Sequence, residues 1–156
     1  MSQQQHQQPQ TGQHAQTAQS QWTGGTFDQY VPQTVSQAVY QLEQLETDAE
    51  WAHGQAMQMG DRTAAKKLAD IEDIVHLQKK LLLRESEMAQ TVGQCTQQAL
   101  YQCSQGLQGS QTPGVQSVVQ QTQQVAQRIS QASQQATMGA QQGQQSQMGG
   151  QFSSQF

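Results

Sequence analysis

The sequence predicts an all-α fold, an antiparallel up-down-up-down four-helix bundle with disordered Gln-rich N- and C-terminal tails. Apolar residues between positions 33 and 137 recur at spacings of three and four, which is the period of a helix with one buried face. Gly and Pro lie between the periodic segments, and no segment alternates with period two for a useful length. Four helices joined by short turns are typical of such a bundle.

Both ends of the chain differ from the periodic body in composition. Gln accounts for 42 of the 156 residues, and at the ends it is mixed with Gly, Ser and Thr. Segments this polar bury too little apolar surface to offset the entropy lost on ordering. The sequence therefore predicts disordered tails at residues 1–31 and 138–156, on either side of one bundle domain at residues 32–137.

The first two helices are predicted from their apolar positions and their ends. The first helix follows Pro32 and ends near residue 58, where Gly60 stops it and Asp61 caps the next helix. The second helix covers about residues 62 to 83. The expected buried positions are Ala38, Leu42, Leu45, Ala49, Ala52 and Ala56 in the first helix, and Leu68, Ile71, Val75 and Leu82 in the second, with Ile74, Leu77 and Leu81 beside that stripe.

The third and fourth helices are predicted in the same way. Ser86 is a candidate cap for the third helix, although residues 62–108 also fit one continuous or kinked helix. Thr112 and Pro113 fit the cap and first position of the fourth helix, which runs to about residue 137. The expected seams are Ala89, Val92, Thr96, Ala99 and Cys103 in the third helix, and Val118, Thr122, Val125, Ile129, Ala132 and Ala136 in the fourth.

Charge and cysteine content restrict the function classes. The net charge of −4 comes from ten acidic and six basic residues between Glu43 and Glu87, so a basic nucleic-acid-binding face is not expected. The sequence contains neither an apolar run long enough for a transmembrane segment nor an N-terminal secretory pattern. Two cysteines cannot form a disulfide framework and fit a cytoplasmic location.

The candidate metal ligands are His53, Met57, His76, Cys95 and Cys103. Glu50 with His53, and Asp73 with His76, have the three-residue spacing by which ferritin-like bundles present ligands, but two further carboxylates are missing. Thioether, imidazole and thiol groups suit copper(I). The favoured interpretation is that the histidines are solvated, that the methionine fills a gap in the packing and that the cysteines are small buried side chains. No cofactor is therefore expected, and bound copper is the alternative.

Several segments resemble the cysteine-rich four-helix bundles of the copper-storage type. Residues 49–56 resemble a segment of that family with alanine at each of its three cysteine positions, and residues 84–87 resemble the junction after its second helix. Asp70 and Asp73 resemble its aspartate-bearing second helix. In the third helix, Gly93, Thr96, Leu100 and Cys103 occupy the positions of four family cysteines, and one of them is a cysteine. The resemblance, over about residues 45 to 105, implies the fold but argues against copper storage.

The sequence predicts a non-enzymatic scaffold, self-assembly or protein-interaction module, because it contains no phosphate-binding loop, nucleophile elbow, zinc-protease or Cys-x-x-Cys motif. Its expected partner is a protein, either another copy in a homo-oligomer or a different chain. One alternative is a metal-handling protein, with weak copper(I) binding or a partial ferritin-like site at Glu50, His53, Asp73 and His76. Another is an amphipathic coat protein of a lipid body or polymer granule.

Overall fold

The computed structural model describes the backbone of residues 25–148 and the side chains of residues 25–139. Its helices are α1 (Phe27–Tyr30), α2 (Gln33–Met59), α3 (Arg62–Leu83), α4 (Ala89–Leu107) and α5 (Val115–Met148). Residues 25–148 contain no strand, so the predicted all-α class is confirmed. Non-helical residues separate α3 from α4, which resolves the alternative of one continuous helix.

Of the two segments predicted to be disordered tails, the N-terminal one lies mainly and the C-terminal one partly outside the described residues. Residues 1–24 and 149–156 are not described. Within the described part, α1 falls in the segment assigned to the N-terminal tail, and its Phe27 ring packs edge-on against Tyr40 of α2. Helix α5 continues to Met148 rather than ending near residue 137, because Gln and Met, which are good helix formers, make up most of residues 138–148.

The four long helices pack in a closed cyclic order around one apolar core. Helix α2 lies against α3 and α5, and α4 lies against α3 and α5. Every seam residue predicted for the first and fourth helices is buried, as are Leu68, Ile71, Val75 and Leu82 of α3. None of the described helices has an apolar stretch long enough to cross a membrane.

The predicted seam of α4 is partly wrong. Ala89, Thr96 and Cys103 are buried as expected, but Gly93 and Leu100 are fully enclosed in place of Val92 and Ala99. Gly93 contributes no apolar side chain, so the hydrophobic pattern did not mark it. The buried stripe of α4 keeps the spacing of four and three but runs one residue later at these two positions.

Two glycines with positive φ define helix ends at two connections, between α2 and α3 and between α4 and α5. Gly60, with φ of 74°, ends α2, and the Asp61 carboxylate accepts a hydrogen bond from the Ala64 amide at 3.0 Å, as predicted. At the start of α5 the prediction is wrong. Gly114 has φ of 84°, a left-handed conformation through which a right-handed helix cannot continue, so α5 begins at Val115 and not at Pro113.

A buried glutamine holds three helices together. Gln78 of α3 is fully buried, and its amide nitrogen donates to the Ala89 carbonyl and the Ser133 hydroxyl, both at 3.1 Å. Gly93 lies beside these groups, where a Cβ atom would come within 2.7 Å of the Ser133 Oγ and 3.1 Å of the Ile129 Cγ2. The absence of a side chain at Gly93 therefore allows α4 to approach α5 closely.

Replacing two helical glycines by alanine should have opposite effects. Gly54 lies on the exposed side of α2 with open space around it, so Gly54→Ala should stabilise the fold by about 0.5–1 kcal/mol. Gly93→Ala should destabilise it by about 1–3 kcal/mol, because Ser133 must move and lose its bond with Gln78. Urea unfolding of both variants measures the difference, and an equal gain in both would contradict the close approach at Gly93.

Candidate functional site

The two predicted histidine ligands lie on the surface where α2 meets α3, and each faces a glutamate across that boundary. His53 Nδ1 is 3.0 Å from Glu72 Oε1, and His76 Nδ1 is 2.8 Å from Glu46 Oε1. Because a carboxylate only accepts hydrogen bonds, Nδ1 is the donor in both pairs. The i, i+3 spacing had suggested that His53 acts with Glu50 and His76 with Asp73, but both rings bond to a glutamate on the neighbouring helix.

Lysine extends this surface into an ion-pair network. The Lys79 ammonium donates to Glu46 Oε2 at 2.6 Å and also to Glu43. The six residues Glu43, Glu46, His53, Glu72, His76 and Lys79 are called the α2–α3 face below. Its pairs join two helices whose outer positions would otherwise present unpaired charge.

The two histidine–glutamate pairs have different electrostatics. Burial raises the pKa of the Glu46 carboxyl, but hydrogen bonds from Lys79 and His76 outweigh burial and hold that pKa below its ordinary value. Burial raises the pKa of Glu72 above its ordinary value, because His53 offsets only part of the effect and neighbouring carboxylates add to it. Ionised Glu46 therefore favours the folded chain, whereas ionisation of Glu72 works against folding.

The remaining predicted ligands lie elsewhere. Met57 is 65% exposed near the end of α2, Cys95 is exposed on α4, and Cys103 is buried with 8% of its surface exposed. Within residues 25–139, no three His, Cys, Asp or Glu side chains form a group that could hold a metal ion. The structure thus brings each histidine to a glutamate and does not gather the five candidates into one site.

The two cysteines differ in their surroundings. Burial, with a smaller contribution from Asp70, raises the pKa of the Cys103 thiol, and Lys67 opposes this in part. Their separation of eight residues along α4 corresponds to roughly 12 Å, too far for a mutual disulfide. Cys103 is therefore kept as a protonated thiol at neutral pH, whereas Cys95 is accessible to reagents.

Asp61 connects two turns that are far apart in sequence. Its carboxylate accepts from the Ala64 amide and, through Oδ2, from the hydroxyls of Ser110 at 2.8 Å and Thr112 at 3.1 Å. The hydrogen bond from Ala64, followed by that from Ser110, lowers the pKa of Asp61 below its ordinary value. The turn between α2 and α3 is thereby fastened to the one between α4 and α5, so Thr112 binds Asp61 instead of starting a helix.

The surface where α4 meets α5 has a different chemistry. Its accessible residues, called the α4–α5 face below, are Gln90, Gln94, Gln97, Tyr101, Gln123, Gln127, Ser130 and Gln134. None of them is ionisable near neutral pH. Over residues 89–139 the one charged side chain is Arg128, which points away from this face and donates to Gln37 of α2 at 2.9 Å.

A groove of about 300 Å³ runs along the α4–α5 face. Its floor is formed by Leu100, Ser104, Thr122 and Ala126, and Tyr101, Gln123 and Gln127 form its sides. The hydrophobic pattern of the sequence does not mark this groove, because glutamine at an exposed helix position is typical of ordinary solvated surface. Two features of the sequence do indicate it: Arg128 is the one charged residue after position 88, and an aromatic residue, Tyr101, lies in that uncharged part.

Thiol labelling of the folded full chain should proceed in two steps. Cys95 should react rapidly and Cys103 roughly tenfold or more slowly, because burial both encloses the Cys103 thiol and raises its pKa. Timed labelling followed by mass spectrometry measures both rates. The Cys95→Ser variant should lack the rapid step and the Cys103→Ser variant should retain it, and equal rates for both thiols would contradict the burial of Cys103.

The contribution of Asp61 to the stability of the fold should be present at neutral pH and should be lost at low pH. Since its folded pKa is depressed, its ionised form stabilises the fold above the ordinary pKa of about 3.8, and the effect is lost as pH falls through the folded value. Asp61→Asn should therefore lower the melting temperature at neutral pH, and the difference from wild type should shrink below pH 3.8. The exposed Glu87→Gln serves as control, and a pH-independent difference for Asp61→Asn would contradict this account.

Comparison of the chain with protein-family models, with curated proteins and with solved structures gives no match. The resemblance to copper-storage bundles therefore remains an expectation from the sequence. A function is therefore assigned from the side chains of the α2–α3 and α4–α5 faces and from the two cysteines.

Proposed function

We propose that the protein is a non-enzymatic helical bundle that acts as a protein-interaction module through its α4–α5 face. The observation that carries the proposal is the segregation of charge. The α2–α3 face consists of charged and histidine side chains in ion pairs, whereas the α4–α5 face is built from neutral amides, a serine and one tyrosine around a groove.

The underlying architecture is an antiparallel up-down-up-down four-helix bundle. This arrangement is supported by the cyclic packing order and by the short connections between consecutive helices. The bond from Ser110 to Asp61 also supports it, because it joins the connection after α2 to the connection after α4. In such a bundle the α2–α3 and α4–α5 faces lie on opposite sides.

Neutral composition makes the α4–α5 face the easier of the two to remove from water. Burying an ionised group costs much more than burying an amide that finds a hydrogen-bond partner. Charged residues are depleted in the cores of protein interfaces, and tyrosine is enriched there. An exposed Tyr101 beside an uncharged groove has this composition.

The alternatives receive less support from the described residues. A metal-handling role needs converging ligands, but the five candidates are spread over α2, α3 and α4, and both histidines are bonded to glutamates. A coat on a lipid or polymer surface needs an exposed apolar stripe on its helices. The apolar seams of α2 to α5 are enclosed in the common core, so the bundle would have to open first.

Site-specific photo-crosslinking in native cells tests the proposal. A photoreactive phenylalanine analogue at Gln94 or Gln127 should give discrete protein adducts, because these exposed positions flank the groove or its continuation along the same face. The matched controls are the exposed positions Gln58 of α2 and Leu77 of α3, which should give little adduct. Adducts from all four positions, or from none, would contradict a role for the α4–α5 face.

A further inference from the structure

We infer that the occupant of the α4–α5 face is the same face of a second copy, with Tyr101 of each copy seated in the groove of the other. The inference rests on the proposed function, since it names the partner of that surface. It is a two-fold arrangement, in which one patch serves as both halves of the interface.

The groove is suited to an aromatic side chain because the hydroxyl groups in its floor already donate hydrogen bonds within the chain. Ser104 donates its hydroxyl hydrogen to the Tyr101 carbonyl at 2.8 Å, and Thr122 donates to the Val119 carbonyl at 2.7 Å. Leu100 is fully buried and Ala126 adds a methyl group. With the hydroxyl protons already bonded within each helix, the floor presents mainly carbon to an incoming group.

Tyr101 supplies such a group at the right place. It lines the groove yet is 63% exposed, so its ring is available to a neighbouring molecule. Tyrosine buries a large apolar surface while fixing two side-chain torsions, and its hydroxyl can bond to polar groups at a rim. Gln123 and Gln127 form such a rim beside the groove.

The charge distribution favours a second copy over a charged partner. A two-fold axis places like residues near like residues, so a self-associating face must not carry one sign of charge. The α4–α5 face meets this requirement, and an amide can both donate to and accept from another amide. The carboxylates of Glu43, Glu46 and Glu72 on the α2–α3 face then lie toward the outer sides of the pair, roughly 40 Å apart, well beyond the screening length of about 8–10 Å.

The area of the α4–α5 face sets the expected stability of the dimer. Helix α4 has 19 residues, and a surface of that length and two helices wide projects roughly 550–600 Å². Two such surfaces bury a total close to the lower limit of about 1,200 Å² for specific interfaces. We therefore expect a reversible dimer that dissociates on dilution rather than a permanent one.

Sedimentation equilibrium of the purified full chain, across the micromolar to millimolar range, tests the inference. The mass should rise from 17.2 kDa toward twice that value as concentration increases. Tyr101→Ala and Gln127→Glu should weaken association by roughly tenfold or more, through loss of the inserted ring and through like charge. Tyr101→Phe should retain most of it, and Gln58→Glu on α2 should match wild type.

Circular dichroism and urea unfolding should show the native fold in every variant, since Tyr101, Gln127 and Gln58 are exposed. A chain of 17.2 kDa at all concentrations would overturn the inference, as would a dimer unaffected by Tyr101→Ala and Gln127→Glu. If photo-crosslinks from the α4–α5 face join a different protein while the purified chain stays monomeric, the inference fails and the proposed function stands.

Discussion

The buried amide of Gln78 is the constraint on which the arrangement of α3, α4 and α5 depends. An unsatisfied amide in a core is costly, so α4 must place the Ala89 carbonyl and α5 must place the Ser133 hydroxyl within reach of it. This requirement fixes the relative height of three helices, which alanine-rich seams alone would specify weakly. The same hydrogen bonds bring α4 close to α5 at Gly93. The groove of the α4–α5 face lies between these two helices.

The boundary between α2 and α3 is held by another kind of interaction. Between α2 and α3, Lys79 and the two histidines bond to glutamates across the helix boundary. These pairs are part-buried at the surface, and ion pairs near a protein surface typically contribute less than about 1 kcal/mol of stability each. One side of the chain therefore uses ions and the other uses amides, although both surround the same apolar core.

The parts of the fold that the sequence predicted are those that apolar side chains mark. The seams of α2 and α5 are regular alternations of three and four, and the structure buries all of them. Gly93 in α4 and Gly114 before α5 were misjudged, because backbone approach and a positive φ leave no hydrophobic signature. The spacing within each helix predicts a partner for each histidine on its own helix. The actual partners, Glu46 and Glu72, come from the neighbouring helix, and spacing within one helix carries no information about them.

The two surfaces together explain why association through the α4–α5 face would stop at two copies. A two-fold contact would use the α4–α5 face of each copy and leave the α2–α3 face, with its carboxylates of Glu43, Glu46 and Glu72, on the outside. Further stacking would have to bring these α2–α3 faces together, where their ion pairs would lose water without gaining partners. In the proposed dimer, the charge on the α2–α3 face would therefore favour a closed pair, since the surface that remains exposed would repel the same surface of another copy.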